Sequence, residues 1–439
     1  MRRLGAVAVS VLALVVASPG TASATNDTYF SRQWALAQIG AEQAWTRSTG
    51  SGVTIGIVDT GVDAGHPDLA GKIAVMADCV GRPCATGAGQ DTHGHGTIVS
   101  GIAAASTGNG RGMAGVAPDA RLAVAKVLNS NGEGRVEDIN NGIRWLVDHG
   151  ARVINLSLGD PNFLVSSLLG TPLRTSIEYA WSKGAVPVLA SGNYATGLGD
   201  LGSGNYGNLN ALVVGATDRA GNVPSYSSAV GNAKWGLVAP GGAGSGGPDT
   251  NVISTFPVAS GGSGYASAAG TSMAAPHVSG AVALLLAQGL SPSAAVTRLL
   301  STLDKGVSCG RGCQGRLNLA AAVGADAAPP PTAAAPATTR APSTSRTTVP
   351  RSTTTRPPAE PATTTTTAPA VPPGETQSGD PSQLAAPPGP VPLAAPDLGG
   401  RSGPGRNPAA VATAVVLVVL VGGAVGGTGA RRLRADGRP

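Results

Sequence analysis

Five short runs of β-branched and aliphatic residues, at 53–58, 121–127, 152–157, 185–190 and 211–217, alternate with segments of helical pattern and limit what this chain can fold into. Each run is apolar along most of its length instead of alternating with polar residues, as in a strand buried on both faces of a parallel sheet. Helical patterns fall near 95–106, 135–149 and 171–183, and a longer one covers 271–288. Strand, crossover helix and strand in this order predict a three-layer α/β fold with a mostly parallel central sheet. Ligands of such sheets bind beyond the carboxyl ends of the strands, so the residues after each run are the candidates for chemistry.

Composition divides the rest of the chain. Most of the 34 prolines follow residue 328, leaving 25–325 as one folded domain. Residues 326–408 are dominated by Pro, Ala and Thr and predict a disordered stalk, because they offer too little apolar surface to offset chain entropy. Residues 409–429 carry no charge and are long enough to cross a bilayer as a helix. Arg431, Arg432, Arg434 and Arg438 lie in the tail at 430–439, which places the C-terminus in the cytoplasm and the folded domain outside. At the other end, Arg2 and Arg3 precede an apolar run and Ala22-Ser23-Ala24, the pattern of a signal peptide spanning 1–24. A single-pass membrane protein with an extracytoplasmic domain is expected. The net charge of +6 is scattered or confined to the tail, so no basic face predicts a nucleic-acid partner. Four cysteines allow three connectivities. The close spacing of Cys79 with Cys84 and of Cys309 with Cys313, in an exported chain, favours two local disulfides over zinc.

Three segments carry the chemistry. Asp59 ends the first strand in IGIVDTGVD; alone it could be a turn or cap residue. In HGHGTIVSG, His95 opens a helix whose Gly96 and Gly101 leave room for close packing, with His93 the second choice as the base. Ser272, in GTSMAAPHVSG, stands at a helix entry, where main-chain amides favour a developing oxyanion. An isolated Ser there would be an N-cap. Asp, His and Ser in this order match the order of one class of serine hydrolase triads and not the others. His66, His149 and His277 have no such context and are expected to be structural.

On DTGVD, HGT-x-V-x-G and GTSMAAPH the chain resembles the subtilisin family, from about residue 26 to 325, and its opening segment NDTYFSRQWALAQIGAEQAW is similar to thermitase-like members. The resemblance implies a serine endopeptidase with Ser272 as nucleophile, His95 as general base and Asp59 as its orienting anion. It also implies that Asn193 joins the Ser272 amide in an oxyanion hole. Ser157, Leu158 and Gly159 match the strand that pairs with an extended peptide substrate. It further implies a structural Ca²⁺ held by Asp27, Asp68, Asn109 and the carbonyls of Ser106, Arg111 and Met113. No inhibitory prodomain fits between residue 24 and the first strand. A Pro-rich stalk before one C-terminal span is similar to the mycosins, membrane-anchored proteases of actinobacterial type VII secretion complexes, which implies such a complex as partner.

Overall fold

The computed structural model describes residues 25–158, 173–193, 206–258, 264–325 and 391–392. In chain order, the first half comprises α1 (Trp34–Ile39), α2 (Ala41–Trp45), β1 (Thr54–Asp59), β2 (Ile73–Asp78), β3 (Ala85–Thr86), α3 (His95–Ala104), β4 (Arg121–Lys126), α4 (Val136–Asp148) and β5 (Val153–Leu156). There follow α5 (Arg174–Ser182), β6 (Val186–Ala190), β7 (Leu212–Thr217), β8 (Trp235–Pro240), β9 (Val252–Thr255), β10 (Tyr265–Ala268), α6 (Thr271–Ala287), α7 (Pro292–Ser301), β11 (Cys313–Arg316), α8 (Leu319–Ala322) and β12 (Val391–Pro392). The five apolar runs are β1, β4, β5, β6 and β7, in the places predicted.

Nine strands form one sheet in the order β11-β8-β7-β6-β5-β1-β4-β2-β3, parallel except between β2 and β3. Alternate residues of its strands serve two apolar layers. Ile55 and Ile57 pack in one cluster with Val278, Val282 and Leu285 of α6. Val58, Ala123 and Ala125 join Ile139, Ile143 and Leu146 of α4 and Ile177 of α5 in another. This is the three-layer arrangement expected from continuous apolar strands. α6 is buried from Thr271 to Leu286, so it is apolar on every side instead of along one stripe. Each fully buried Leu or Val of this helix contributes roughly 1.5–3 kcal/mol relative to exposure.

Register places the candidate residues on one edge of the sheet. Val58 pairs with Leu156, and Leu156 with Leu189, so Asp59, Ser157 and the segment leading to Asn193 all emerge at neighbouring carboxyl ends. The glycines of α3 are required for close approach. A Cβ at Gly96 would collide with the Gly61 carbonyl, and one at Gly101 with the hydroxyls of Thr255 and Ser254 on β9.

Cys79 is bonded to Cys84 and Cys309 to Cys313, the local pairing. A second sheet has the order β12-β10-β9. Of the predicted stalk only Val391–Pro392 belongs to the described residues, and it is a strand antiparallel to β10. The predicted leader (1–24), span (409–429) and basic tail lie outside the described residues, among which no helix is long and apolar enough to cross a membrane.

Candidate active site

His95 is the first residue of α3, preceded by Gly94 at φ 105°, a conformation that suits glycine. Gly94 has no side chain with which to cap the helix, so other groups must take its first amides. Asp91 does most of this. Its Oδ1 accepts from the His93 and Gly94 amides at 2.9 and 2.8 Å, and its Oδ2 accepts from the Thr97 amide and hydroxyl at 2.9 and 2.6 Å. Thr60 Oγ1 donates to Asp91 at 2.9 Å and accepts from the Gly96 amide at 2.9 Å. These contacts set the start of α3 against the end of β1.

The result is a direct bond between His95 Nδ1 and Asp59 Oδ1 at 2.7 Å. Asp59 is fully buried, and the same oxygen accepts from the Thr60 amide at 2.7 Å. An ionised carboxylate is acceptor only, so Nδ1 carries the proton and Nε2 of the neutral ring is left as a free base. Burial alone would lower the pKa of His95, but the Asp59 charge, its hydrogen bond and the Asp91 charge outweigh it and raise it above 6.5. His93, the second choice, has no such bond. Burial and the neighbouring His95 push its pKa down, and its Nδ1 faces the His95 amide. Behind the pair, the buried Lys126 donates from Nζ to the Thr60 carbonyl at 2.6 Å, and burial lowers its pKa despite the charges of Asp91, Asp78 and Asp59.

Ser272 is the second residue of α6, which packs against α3 through Met273, Ile98 and Ile102. Pro276 lies inside the helix and has no N–H, so the Ser272 carbonyl loses its ordinary partner four residues on. Ser157 supplies one: its Oγ donates to the Ser272 carbonyl at 2.8 Å. Asn155 Nδ2 donates to that Ser157 oxygen at 2.9 Å, and Ser279 Oγ donates to Asn155 Oδ1 at 2.8 Å. The end of β5 is thus tied to α6 at two points. The Ser272 hydroxyl itself donates to the Ser157 carbonyl at 3.2 Å, so it must turn to engage a base.

Asn193 sits beside the same helix start. Its Oδ1 accepts from the Thr271 amide at 2.9 Å and the Thr271 hydroxyl at 3.1 Å, which orients the amide and leaves Nδ2 as a donor for a further acceptor. Leu158 is buried next to Ser157, and Gly159 falls outside the described residues.

The sequence signature of the Subtilase family of S8 peptidases matches residues 50–323. This chain belongs to the subtilase family. Thermitase of Thermoactinomyces vulgaris is 40% identical over 302 residues, 68% of this chain and 98% of that protein. Subtilisin Savinase of Lederbergia lenta is 41% identical over 255 residues, 57% of this chain and 83% of that one. Among solved structures, a protease of Pseudoalteromonas arctica superposes with a TM-score of 0.56 at 29% identity, over 69% of this chain and 99% of that one. The subtilase is accordingly a serine endopeptidase with a three-layer α/β fold.

Sequence reasoning missed the residues that orient the subtilase's site. Asp91 follows no apolar strand, Thr60 stands just after β1, and Lys126 is the last residue of β4 in a run read only for its apolar residues. The Asn155–Ser157–Ser279 chain joins positions more than a hundred residues apart. The available signals were the proline at 276, which marks an orphaned carbonyl, and Gly94, which cannot cap its own helix and leaves that to Asp91 three residues before it.

The predicted calcium ligands do come together, but as a hydrogen-bonded clasp. Asp27 accepts from Thr25 Oγ1 and from the amides of Gly108 and Asn109, at 2.9 and 3.1 Å for the amides. Asp68 Oδ1 accepts from Asn109 Nδ2 at 2.9 Å, and its Oδ2 from the Met113 amide and Tyr265 hydroxyl at 2.9 and 3.0 Å. Asn109 Oδ1 accepts from the Arg111 amide at 2.9 Å, and Asp68's own carbonyl accepts from the Ser106 amide. Every side-chain oxygen of the set meets an N–H or O–H. An ionised carboxylate offers about four lone-pair sites, so Asp27 and Asp68 keep acceptor capacity beside these bonds. Among the described residues, no group of three or more His, Cys, Asp or Glu could hold a metal ion.

Proposed function

We propose that this subtilase is an extracytoplasmic endopeptidase tethered to a membrane, in which Ser272 attacks the scissile carbonyl and His95 Nε2 takes the hydroxyl proton. The Asp59–His95 hydrogen bond carries this reading, because it holds the ring in the tautomer with Nε2 free. As the imidazolium forms, the buried Asp59 charge stabilises it through Nδ1–H. The tetrahedral oxyanion accepts from the Ser272 amide and from Asn193 Nδ2, whose carbonyl end is already anchored on Thr271. His95 returns its proton to the leaving amine, and water then hydrolyses the acyl-enzyme with the same base. The extended substrate backbone pairs along 157–159, so recognition is broad and side-chain pockets set preference.

The test uses the purified full chain and a fluorophosphonate probe. Labelling that maps to Ser272 and disappears in Ser272→Ala, with peptide cleavage lost in parallel, is the expected result. A folded chain that neither labels nor cleaves any peptide of a broad library refutes the assignment.

Support for the tether comes from the leader pattern at 1–24 and the uncharged run at 409–429 followed by arginines. The same architecture favours a mycosin-like place beside a secretion complex. Co-purification of other membrane proteins with the full chain in mild detergent tests that place, and recovery of a lone subunit counts against it.

A further inference from the structure

The β9–β10 hairpin leaves one edge of β10 with main-chain groups that β9 does not use. Register pairs Thr255 with Tyr265, Ser254 with Ala266, Ile253 with Ser267 and Val252 with Ala268. The Phe256 amide donates to the Gly264 carbonyl at 2.7 Å, which fixes the parity of the ladder. Hydrogen-bonded pairs alternate with non-bonded pairs in an antiparallel ladder, so the Ser254–Ala266 pair is bonded and the Ile253–Ser267 pair is not. Ser267 therefore turns its N–H and C=O away from β9. It is fully buried, and buried main-chain groups require partners.

Val391–Pro392 lies against this edge, with Ser267 opposite Val391 and Ala266 opposite Pro392. The sequence of the segment suits a strand that pairs on one side only. Prolines at 390 and 392 have no N–H, while Val391 between them does. Successive residues of a strand direct their N–H groups to opposite sides, so Val391 can serve β10 while the prolines leave the outer side without donors. The parity required by the prolines is the parity that the Gly264–Phe256 bond imposes from the other side of β10. A proline-blunted third strand also closes the edge against pairing with other chains.

We propose that the edge of β10 is the docking site for the chain's own linker, through a main-chain pair between Ser267 and Val391. Docking divides the linker into a closed loop, 326–390, and a short tether, 393–408. That tether has a coil-like span of roughly 20 Å and an extended limit of about 55 Å. On the membrane-tether reading above, the catalytic domain is then held near the bilayer instead of ranging over the whole linker. β10 runs through Ala269 and Gly270 into α6, so the tether attaches a few residues from Ser272.

The test uses the full chain in detergent, where the pairing does not depend on a membrane and can fail without bearing on the anchor. Ser267→Cys with Val391→Cys places two thiols across a bonded antiparallel pair, within the Cα separation a disulfide allows. Mild oxidation should cross-link most of this variant and little of a Ser267→Cys, Ala385→Cys control. Should the cysteines perturb folding, amide exchange gives a second readout. Val391→Pro removes the donor from the segment and should speed exchange at Ser267 at least tenfold while leaving Ala266 and Ala268, held by β9, unchanged. Equal cross-linking in both cysteine variants, or Ser267 exchange indifferent to Val391→Pro, overturns the proposal.

Discussion

Replacing Asp91 by Asn should destabilise the folded domain by about 3 kcal/mol and move the acid limb of catalysis to lower pH. Asp91 is 5% exposed and accepts five hydrogen bonds, three on Oδ1 and two on Oδ2. Asn keeps one acceptor oxygen and puts an NH₂ group in place of the other. If the oxygen stays on the more heavily used side, the Thr97 amide and hydroxyl lose their acceptor. Two bonds to a charged acceptor at about 1.5 kcal/mol each give about 3 kcal/mol, with a few tenths more for the lost anion at the start of α3. The catalytic effect has a separate origin. The Asp91 charge is one of the influences that raise His95, so its removal lowers the pH at which the ring becomes a free base. Denaturant unfolding in a Ser272→Ala background, where self-digestion is absent, measures the first effect. The pH profile of kcat/KM for the active Asp91→Asn enzyme measures the second. A loss below about 1 kcal/mol together with an unmoved acid limb would refute the role assigned to Asp91.

Three further outcomes follow from the same geometry. Asn193→Ala removes one oxyanion donor, and kcat should fall about 10²- to 10³-fold with KM little changed; a fall of less than tenfold would deny Asn193 that place. His277 is buried, which lowers its pKa to about 4, and its Nδ1–H is held on the Met273 carbonyl. Between pH 6.5 and 4 the unfolded chain therefore binds more protons than the folded one, so this contribution is complete above pH 6.5 and is lost as pH falls. At roughly 1.4 kcal/mol per unit it amounts to about 3 kcal/mol by pH 4. Stability of Ser272→Ala, His277→Gln measured by urea titration should fall less steeply over that interval than that of Ser272→Ala alone, and an unchanged slope would remove His277 as the cause. Finally, the Asp27–Asp68 clasp gathers two carboxylates and Asn109 with acceptor capacity to spare, so millimolar Ca²⁺ should raise the Tm of the Ser272→Ala chain and a chelator should reverse the rise. A Tm indifferent to both would remove Ca²⁺ from this loop.

The elements that were legible from residues alone share one property. β1, β4, β5, β6 and β7 are interior strands of a parallel sheet, buried on both faces, and their composition declares it. β2, β8 and β11 were not legible; β8 is an interior strand too, but Gly236 and Pro240 interrupt its apolar run. β2 is only partly buried, and β11, reading Cys-Gln-Gly-Arg, is an edge strand whose place is set by pairing with β8. β9 and β10 are short, and Ser and Thr in them face α3 and the loop at Pro248 through hydroxyl bonds, so they carry no apolar signature.

For the site, the sequence by itself determined the residue types, their order along the chain and the glycines that let α3 approach β1 and β9. Local chemistry suffices for that, because a strand-ending Asp, a helix-opening His and a helix-opening Ser are each written within a few residues. Tertiary structure decided how Asn193 is turned and which side chain takes the carbonyl that Pro276 leaves orphaned, and it brought His95, the first choice of the two histidines, onto Asp59. It also gave two motifs partners that their own sequence does not show. The residues expected to surround calcium are joined by hydrogen bonds among themselves, and a proline-rich segment with little strand propensity pairs with β10. Both outcomes depend on which main-chain N–H and C=O groups meet once distant segments come together; Pro390 and Pro392 fix the side on which their segment can donate, but not that β10 is what it meets.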